Sequence, residues 1–340
     1  MSPEGNLRPL RIVFWSSTEF GLPTLAYLLN CEECELALII TRAPAPAGRK
    51  QELTPTPVAT YARANAPGVE VAEPEKLAHN EELKQKIRDA RPDAYLLASF
   101  GMILPSSYLK LVEHPLCIHP SKLPDLRGPS PIREALRRGY RSTGVSVMKM
   151  VRQMDAGPVM MVRPLQIDPD DNFETLRGKL AKLAVQCAYS SVRAIQKGEA
   201  HYEPQDEEAA TYTSLIKPTD SYLDFAQKAE DLVNLVRAFS PDIGAACLMP
   251  DGKRLKVLRA SKRQQEMAGA EPGTVLAVRK HSFEVACGDE DALVVHELQP
   301  EGKRKMTAQE FLAGRNIIIG DVLRRIESAE EEAPSEQPPQ

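Results

Sequence analysis

No stretch of eighteen consecutive apolar residues occurs in the 340-residue chain, so no segment reads as a membrane-spanning helix. The opening run MSPEGNLRPLRIVFW is too short and too broken by proline to form a secretory h-region. These two absences lead us to expect a cytoplasmic protein that makes no membrane contact. Excess basic charge is also lacking: 43 Lys and Arg stand against 47 Asp and Glu, for a net charge of −4. A whole-chain nucleic-acid footprint is therefore excluded, while a local one stays open. Cysteine is sparse, with six in all, and only Cys31 and Cys34 lie close together. No second pair with ligand spacing follows, and the intervening glutamates would not lower a thiol pKa. The pair reads as two reduced thiols near a helix end rather than as half a zinc site or a redox couple, and no metal is expected.

The length suffices for two domains, and 42% hydrophobic with 26% charged residues is an ordinary globular composition. Leu10–Trp15 (LRIVFW), Glu35–Thr41 (ELALIIT) and Ala94–Ala98 (AYLLA) are short apolar runs, separated by helix-forming stretches at Thr24–Leu29 and Glu81–Ala90. That alternation predicts parallel strands buried on both faces, in a doubly wound α/β domain with a mostly parallel sheet. Ligands of such domains bind beyond the carboxyl ends of the strands, which directs attention to the loops after Trp15, Thr41, Ala98 and Ile118. Phe173–Lys197 predicts a long helix closed by Gly198. Residues 202–220 carry charges, prolines and tyrosines without periodicity and read as a linker. Beyond them a helical patch (Ala226–Phe239) precedes short alternating segments at Ala245–Met249, Leu255–Ala260, Gly273–Val278, Ser282–Cys287 and Leu293–Leu298. Their even spacing fits a small barrel or sandwich, and an OB-like β-barrel over 221–325 is expected after a first domain of 1–201. The acidic, proline-rich tail 326–340 reads as disordered.

The densest block of chemistry-bearing residues is CIHPSKLPDLRGPSPIR, Cys117–Arg133. His119 stands where an apolar run ends, ahead of a turn stiffened by Pro120 and Pro124 and given backbone freedom by Gly128. A lone histidine is more often packed than catalytic, and that alternative stands at this point. Further on, Asp155 opens the small, rigid triplet Asp155-Ala156-Gly157 before Pro158. A histidine–aspartate pair would fix the imidazole tautomer and raise its basicity. By spacing alone, Asp155 equally fits a turn initiator.

Several phrases occur together in one order: AGR (Ala47–Arg49), TPTPV, GMILP (Gly101–Pro105), HPSKLP…RGPSPI, TGVSVMKM, DAG and LQPEGKRKMTAQEFLAGR (Leu298–Arg315). With this set the chain resembles the methionyl-tRNA formyltransferases, folate-dependent enzymes, from Arg11 to Arg315. Each phrase alone is weak; the ordered set is specific. The resemblance implies formyl transfer from 10-formyltetrahydrofolate to the amino group of methionine on initiator methionyl-tRNA. It also implies that the family's catalytic asparagine, histidine and aspartate correspond to Cys117, His119 and Asp155. The family's S-L-L-P folate contact corresponds to Ser121, Lys122, Leu123 and Pro124, and Phe100, Gly101, Met102, Ile103 and Leu104 would line the pterin pocket. A monomer is expected.

Some positions depart from the family pattern. Cys117 replaces the asparagine, and a thiol is a weak donor. Ala43-Pro44-Ala45 stands where the family has P-D-R, Ser16 where a glycine is usual, Asp125 where a base is frequent and Pro158 where an acid is common. The basic stretch KRLKVLRASKR (Lys253–Arg263) reads either as a solvated strand or, beside a formyltransferase, as a contact to the tRNA backbone. The second reading assigns Lys253, Arg254, Lys256 and Arg259 to tRNA, joined by Lys303, Arg304 and Lys305 and by Arg49 of the AGR phrase. Two other functions compete with methionyl-tRNA formylation. One is a paralogue formylating another amine, such as an amino sugar nucleotide, which the C-terminal KMTAQEFLAGR phrase disfavours. The other is a catalytically impaired folate- or tRNA-binding protein, which the retained His119 and Asp155 disfavour.

Overall fold

The first apolar run forms β1 (Leu10–Trp15), in which Ile12, Val13, Phe14 and Trp15 are wholly buried, as a strand covered on both faces requires. The structure is a computed structural model that describes residues 8–48, 51–264, 269–314 and 316–327. Arg49 and the expected disordered tail from 328 onward lie outside those residues. After β1 the chain continues through α1 (Leu22–Leu29), β2 (Cys34–Ile40), a small hairpin of β3 (Ala45–Ala47) and β4 (Glu52–Thr54), α2 (Pro57–Asn65), β5 (Val71–Ala72), α3 (Glu81–Ala90) and β6 (Ala94–Leu97). Then come α4 (Ser106–Leu109), β7 (His114–His119), α5 (Pro131–Arg137), β8 (Ser142–Lys149), β9 (Val159–Gln166) and α6 (Phe173–Gln196).

Local chemistry accounts for the boundaries. Asn80 caps α3 by accepting the Leu83 N–H at 2.9 Å, and Leu83 and Ile87, four residues apart, give the helix its buried stripe. Thr56 caps α2 by accepting the Ala59 N–H at 3.0 Å, with Pro57 at the first helical position where its missing N–H is harmless.

The seven-stranded sheet has the order β5-β2-β1-β6-β7-β8-β9, parallel through β7 and antiparallel beyond it. The doubly wound expectation is met, and the chain reverses its winding direction between β1 and β6. The crevice that such a reversal creates opens beyond Trp15 and Leu97. Strand β9 has no counterpart among the expected strands: Pro164 interrupts its run, and prolines are tolerated on edge strands, which β9 is. On the other side Trp15 packs edge-on against Tyr95, Phe100 and Tyr108 at 5.4, 5.2 and 6.0 Å between ring centroids, forming the aromatic centre of this core.

The second half contains α7 (Ala229–Phe239), β10 (Ala245–Leu248), β11 (Arg254–Arg263), β12 (Val275–Val278), β13 (Phe283–Ala286), β14 (Ala292–Pro300), β15 (Met306–Thr307) and α8 (Ala308–Ala313). All strand pairings here are antiparallel, in the order β10-β11-β14-β13-β12 with β15 on β14. Residues 321–324 then pair with both sheet edges. Leu323 donates to Gly273 at 2.9 Å and Val275 to Asp321 at 2.8 Å, while Leu248 and Arg324 exchange hydrogen bonds at 2.8 and 2.9 Å. The sheet thereby closes into a small barrel.

The chain divides into two compact units. One comprises Met1–Pro131, Arg141–Ile167 and Leu176–Ser214; the other comprises Ile132–Tyr140, Asp168–Thr175 and Leu215–Gln340. Among the described residues no helix is long and apolar enough to cross a membrane.

Candidate active site

Successive side chains of a strand point to opposite faces, so Cys117 and His119 share one face of β7 at its carboxyl end. His119 lies opposite Ser146 of β8, and that serine holds the following turn. The Ser146 hydroxyl donates to the Ser121 carbonyl at 2.7 Å and accepts the Leu123 N–H at 3.0 Å. Ser121 in turn donates its N–H to the His119 carbonyl at 2.9 Å and its hydroxyl to the Asp125 carbonyl at 2.5 Å. The Leu123–Pro124 peptide bond is cis. The S-K-L-P turn is thus clamped at both ends.

Beyond the turn the backbone folds back over His119. The imidazole Nε2 lies 3.0 Å from the Leu126 carbonyl oxygen. A carbonyl only accepts, so Nε2 carries the proton and donates it there. The other ring nitrogen, Nδ1, faces the Asp155 carboxylate across 3.6 Å, too far for a hydrogen bond. Both side chains are largely buried, at 6% and 13% exposure. Asp155 sits at φ +53° and its Oδ2 accepts the Gly128 N–H at 2.8 Å. Gly128 is needed there: at φ +110° a Cβ would fall 2.5 Å from the Thr213 carbonyl oxygen. Gly157, which closes the Asp155 loop, is equally constrained, since a Cβ would lie 1.8 Å from the Lys149 carbonyl oxygen.

The gap between Nδ1 and the carboxylate is bordered by two acceptors. With Nε2 committed to Leu126, the Nδ1 lone pair and the Asp155 oxygen both suit an N–H donor, such as an amine about to lose a proton. A proton arriving at Nδ1 would make an imidazolium that the neighbouring carboxylate can stabilise, in surroundings that screen charge poorly.

Cys117 sits one pleat back, packed with Leu123 and Met148 against Leu97, Met150 and Val159. Burial, reinforced by the nearby Asp155 charge, pushes its thiol well above the ordinary range, so it is neutral and acts as a small apolar residue. Of the second candidate segment, Phe100 is in the aromatic core and Leu104 is buried, whereas Gly101 and Ile103 are exposed and Met102 is half-buried. The Arg42 guanidinium, which sequence reasoning passed over, lies beside Gly101, 3.4 Å from where a Cβ would stand. Lys122 is half-buried, with its stem against Gly144.

The basic candidates lie in the barrel unit and are less free than their sequence suggests. Lys253 pairs with Asp251 at 2.7 Å, Arg259 with Glu297 at 2.8 Å, Arg304 with Glu310 at 2.6 Å and Arg263 with the buried Glu284. Arg254 donates to the Tyr222 hydroxyl at 3.1 Å, and Lys305 to the Pro241 carbonyl at 2.7 Å. Arg254 and Lys256 line a cavity of about 300 Å³ together with Lys217. Lys303 is exposed in a turn.

The stretch read as a linker supplies what sequence reasoning missed. Gln205, Thr211 and Thr213 hydrogen-bond directly to the loops that carry Asp155 and Leu126–Gly128. Arg127, between two residues that touch the pair, is wholly buried. The signal present in the sequence is an arginine beside a glycine in the block that also holds His119.

Comparison with known proteins identifies the family. Residues 11–192 match the formyl transferase family model and residues 215–316 match the formyl transferase C-terminal domain. The methionyl-tRNA formyltransferase of Bacillus subtilis (strain 168) is 37% identical over 314 residues, covering 92% of this chain and 97% of the relative. The methionyl-tRNA formyltransferase of Geobacter metallireducens is 35% identical over 312 residues, covering 92% and 97% respectively. Among solved structures, the sugar 3N-formyl transferase WlaRD superposes with a TM-score of 0.61 at 15% identity over 87% of this chain and 99% of its own. HypX from Aquifex aeolicus in complex with tetrahydrofolic acid gives 0.57 at 20% identity over 89% of this chain, which spans 47% of that longer protein. These two likenesses speak for the fold. With both family models matched in order and relatives similar over nearly their whole length, this chain belongs to the formyltransferase family, as a relative of the methionyl-tRNA formyltransferases.

Proposed function

We propose that this chain transfers the formyl group of 10-formyltetrahydrofolate to the amino group of methionine on initiator methionyl-tRNA, in the cytoplasm and as a monomer, for translation initiation. The observation that carries the reading is the His119–Asp155 pair, buried at the carboxyl edge of the sheet with two acceptor atoms facing one gap. Formyl transfer to an amine needs such a gap. The amine nitrogen attacks the formyl carbon, the carbonyl oxygen becomes an oxyanion and the attacking nitrogen gives up a proton. The oxyanion then collapses, breaking the bond from the formyl carbon to the folate nitrogen, which takes up a proton and leaves as tetrahydrofolate. His119 takes the amine proton at Nδ1, the Leu126 carbonyl holds the ring through Nε2, and Asp155 offsets the new charge.

The donor folate supplies an activated formyl group. The residues available to hold it are Ser121, Lys122, Leu123 and Pro124 of the clamped turn, with the exposed Gly101 and Ile103 and the half-buried Met102 of the loop after β6. A bare, left-handed Gly101 at φ +82° beside an exposed Ile103 suits a flat heteroaromatic ring that pairs with backbone and lies on apolar surface. Phe100 and Leu104 would support that surface from beneath. Full-length similarity to proteins named for methionyl-tRNA favours that acceptor over a sugar amine. The division we propose is a catalytic domain of 1–201, a stretch of 202–220 that belongs to the same compact unit as far as Ser214, and a tRNA-binding barrel of 221–325. There Arg254 and Lys256 would meet phosphates, with Lys253, Arg259, Lys303, Arg304 and Lys305 around them, and Arg49 would approach the acceptor end.

The test is transfer of formyl from 10-formyltetrahydrofolate to charged initiator tRNA by purified protein, alongside His119→Ala, Asp155→Asn and the double variant. His119→Ala should lose roughly two to four decades of kcat. The double variant should be little worse than the poorer single one, because the residues act as a unit. Losses that multiply would separate the two residues and remove the proposed proton transfer.

A further inference from the structure

We infer that residues 203–213 form a strap belonging to the catalytic apparatus, in which Gln205 and Arg127 are positioning residues that set the geometry of the His119–Asp155 pair. The inference rests on the formyl-transfer reading above.

The strap runs along both halves of the site. At one end Glu203 and Val159 exchange backbone hydrogen bonds at 2.7 and 2.9 Å, just past the Asp155 loop. At the other, Arg127 donates its N–H to Thr211 at 2.8 Å and accepts the Thr213 N–H at 2.7 Å. The Thr211 hydroxyl accepts the Leu126 N–H at 2.8 Å, and the Thr213 hydroxyl accepts the Ser130 N–H at 3.1 Å. The tripeptide Leu126-Arg127-Gly128 is therefore held from outside. It holds the pair in turn, because Leu126 supplies the carbonyl to His119 Nε2 and Gly128 supplies the N–H to the Asp155 carboxylate.

Gln205 joins the two halves. Its amide nitrogen donates to the carbonyls of Asp155 at 2.8 Å and Gly157 at 2.7 Å, using both of its protons. Its amide oxygen accepts from Arg127 Nε at 3.0 Å. Asp155 is at positive φ, a conformation that a non-glycine residue keeps only where its surroundings impose it. The doubly donating amide is such a constraint. Arg127 is wholly buried because the strap satisfies the rest of its guanidinium: Glu207 accepts from both terminal nitrogens at 2.8 Å, and the Tyr212 hydroxyl lies 3.2 Å from one of them. A rigid bidentate fork fixes the strap in register over the loop. Displacement of the strap would move Asp155 relative to His119, and a shift of about 1 Å in such a pair can lower a rate on the order of a hundredfold.

Gln205→Glu and Gln205→Ala test the idea. Glutamate keeps an acceptor for Arg127 and nearly the same shape, but it cannot donate to the two carbonyls. Both variants should show kcat for formyl transfer lowered by roughly ten- to a hundredfold, with KM for each substrate within about twofold. In substrate-free protein, the ¹⁵N resonances of the His119 ring should move in both variants, since they report what faces each nitrogen. If Gln205 serves only to satisfy the buried Arg127, Gln205→Glu will retain wild-type kcat and wild-type His119 resonances, and the inference is overturned. The resonance measurement needs no substrate. An inactive wild-type enzyme would therefore sink the acceptor reading while the strap is still judged by the His119 signals.

Discussion

Replacing Cys117 with asparagine would put a strong hydrogen-bond donor two residues before His119, on the same face of β7. The thiol now there is 7% exposed and enclosed by Leu123, Met148, Leu97, Met150 and Val159. Asparagine adds two heavy atoms to that space, and overpacking of this kind costs about 1–3 kcal/mol. For a unit of this size the melting temperature should fall by roughly 2–10 °C. The rate should move the other way. A complete oxyanion donor is worth on the order of 10²–10³ in kcat. The apolar neighbours offer the new amide few ground-state partners, so its donation would be realised mainly in the transition state. Asp155, close enough to raise the thiol pKa, competes for it and reduces the gain. We expect kcat to rise about tenfold, equivalent to ~1.4 kcal/mol, with folate affinity nearly constant. Single-turnover transfer from saturating 10-formyltetrahydrofolate, measured beside thermal melts, decides the matter. A variant both slower and less stable would refute the reasoning: Cys117 would then be a packing residue, and the oxyanion would be met by other groups.

In the barrel unit, neutralising Arg254 and Lys256 together should raise KM for tRNA and flatten its log–log salt dependence by about one for each phosphate left without its cation, with folate binding untouched. Arg259→Ala should change that slope less, because Arg259 is paired with Glu297; equal slopes for all variants would take the patch out of the interface. Asp93 provides a pH test: the hydrogen bond from Arg8, with the Arg11 N–H, holds its carboxyl below the usual range. Its folded pKa being depressed, the stabilisation is complete above the ordinary carboxylate range and disappears as pH falls through the lowered value. Asp93→Asn should thus be modestly less stable than the wild type at pH 7, with the difference shrinking as pH falls through the lowered value, as urea titrations over a series of acid pH values would reveal. Thiol labelling of the native protein should find Cys31 fast and Cys117, Cys187 and Cys247 slow, since burial pushes these last three up, Cys187 to about 11 and Cys247 to about 12. Rapid modification of Cys117 would contradict its buried, neutral state.

Much of the fold was legible before any coordinates, for a physical reason. Strands buried on both faces must be continuous apolar runs, and LRIVFW, ELALIIT and AYLLA can hardly be anything else between helical stretches. The same holds for the alternating segments of the barrel, each of which the structure contains with its boundaries moved by a few residues. Position along the strands was readable too. A histidine closing an apolar run belongs at a strand end, and an aspartate ahead of small, rigid residues belongs in a tight loop; His119 ends β7 and Asp155 lies in the loop between β8 and β9.

What only the tertiary structure decided is which partners those residues meet. No local pattern says that Nε2 of His119 is committed to the Leu126 carbonyl, leaving Nδ1 for Asp155, because that bond depends on a turn folding back over the strand. Nor does charge density along β11 reveal that Lys253 and Arg259 have acidic partners, one of them on another strand. The plainest case is residues 203–213, polar and without periodicity. Hydrogen bonds from an extended stretch leave no repeat in its sequence, so the support of the active site read as a connection between domains. Burial of Arg127 and both donors of Gln205 become visible only when segments about eighty and fifty residues apart in sequence are brought together.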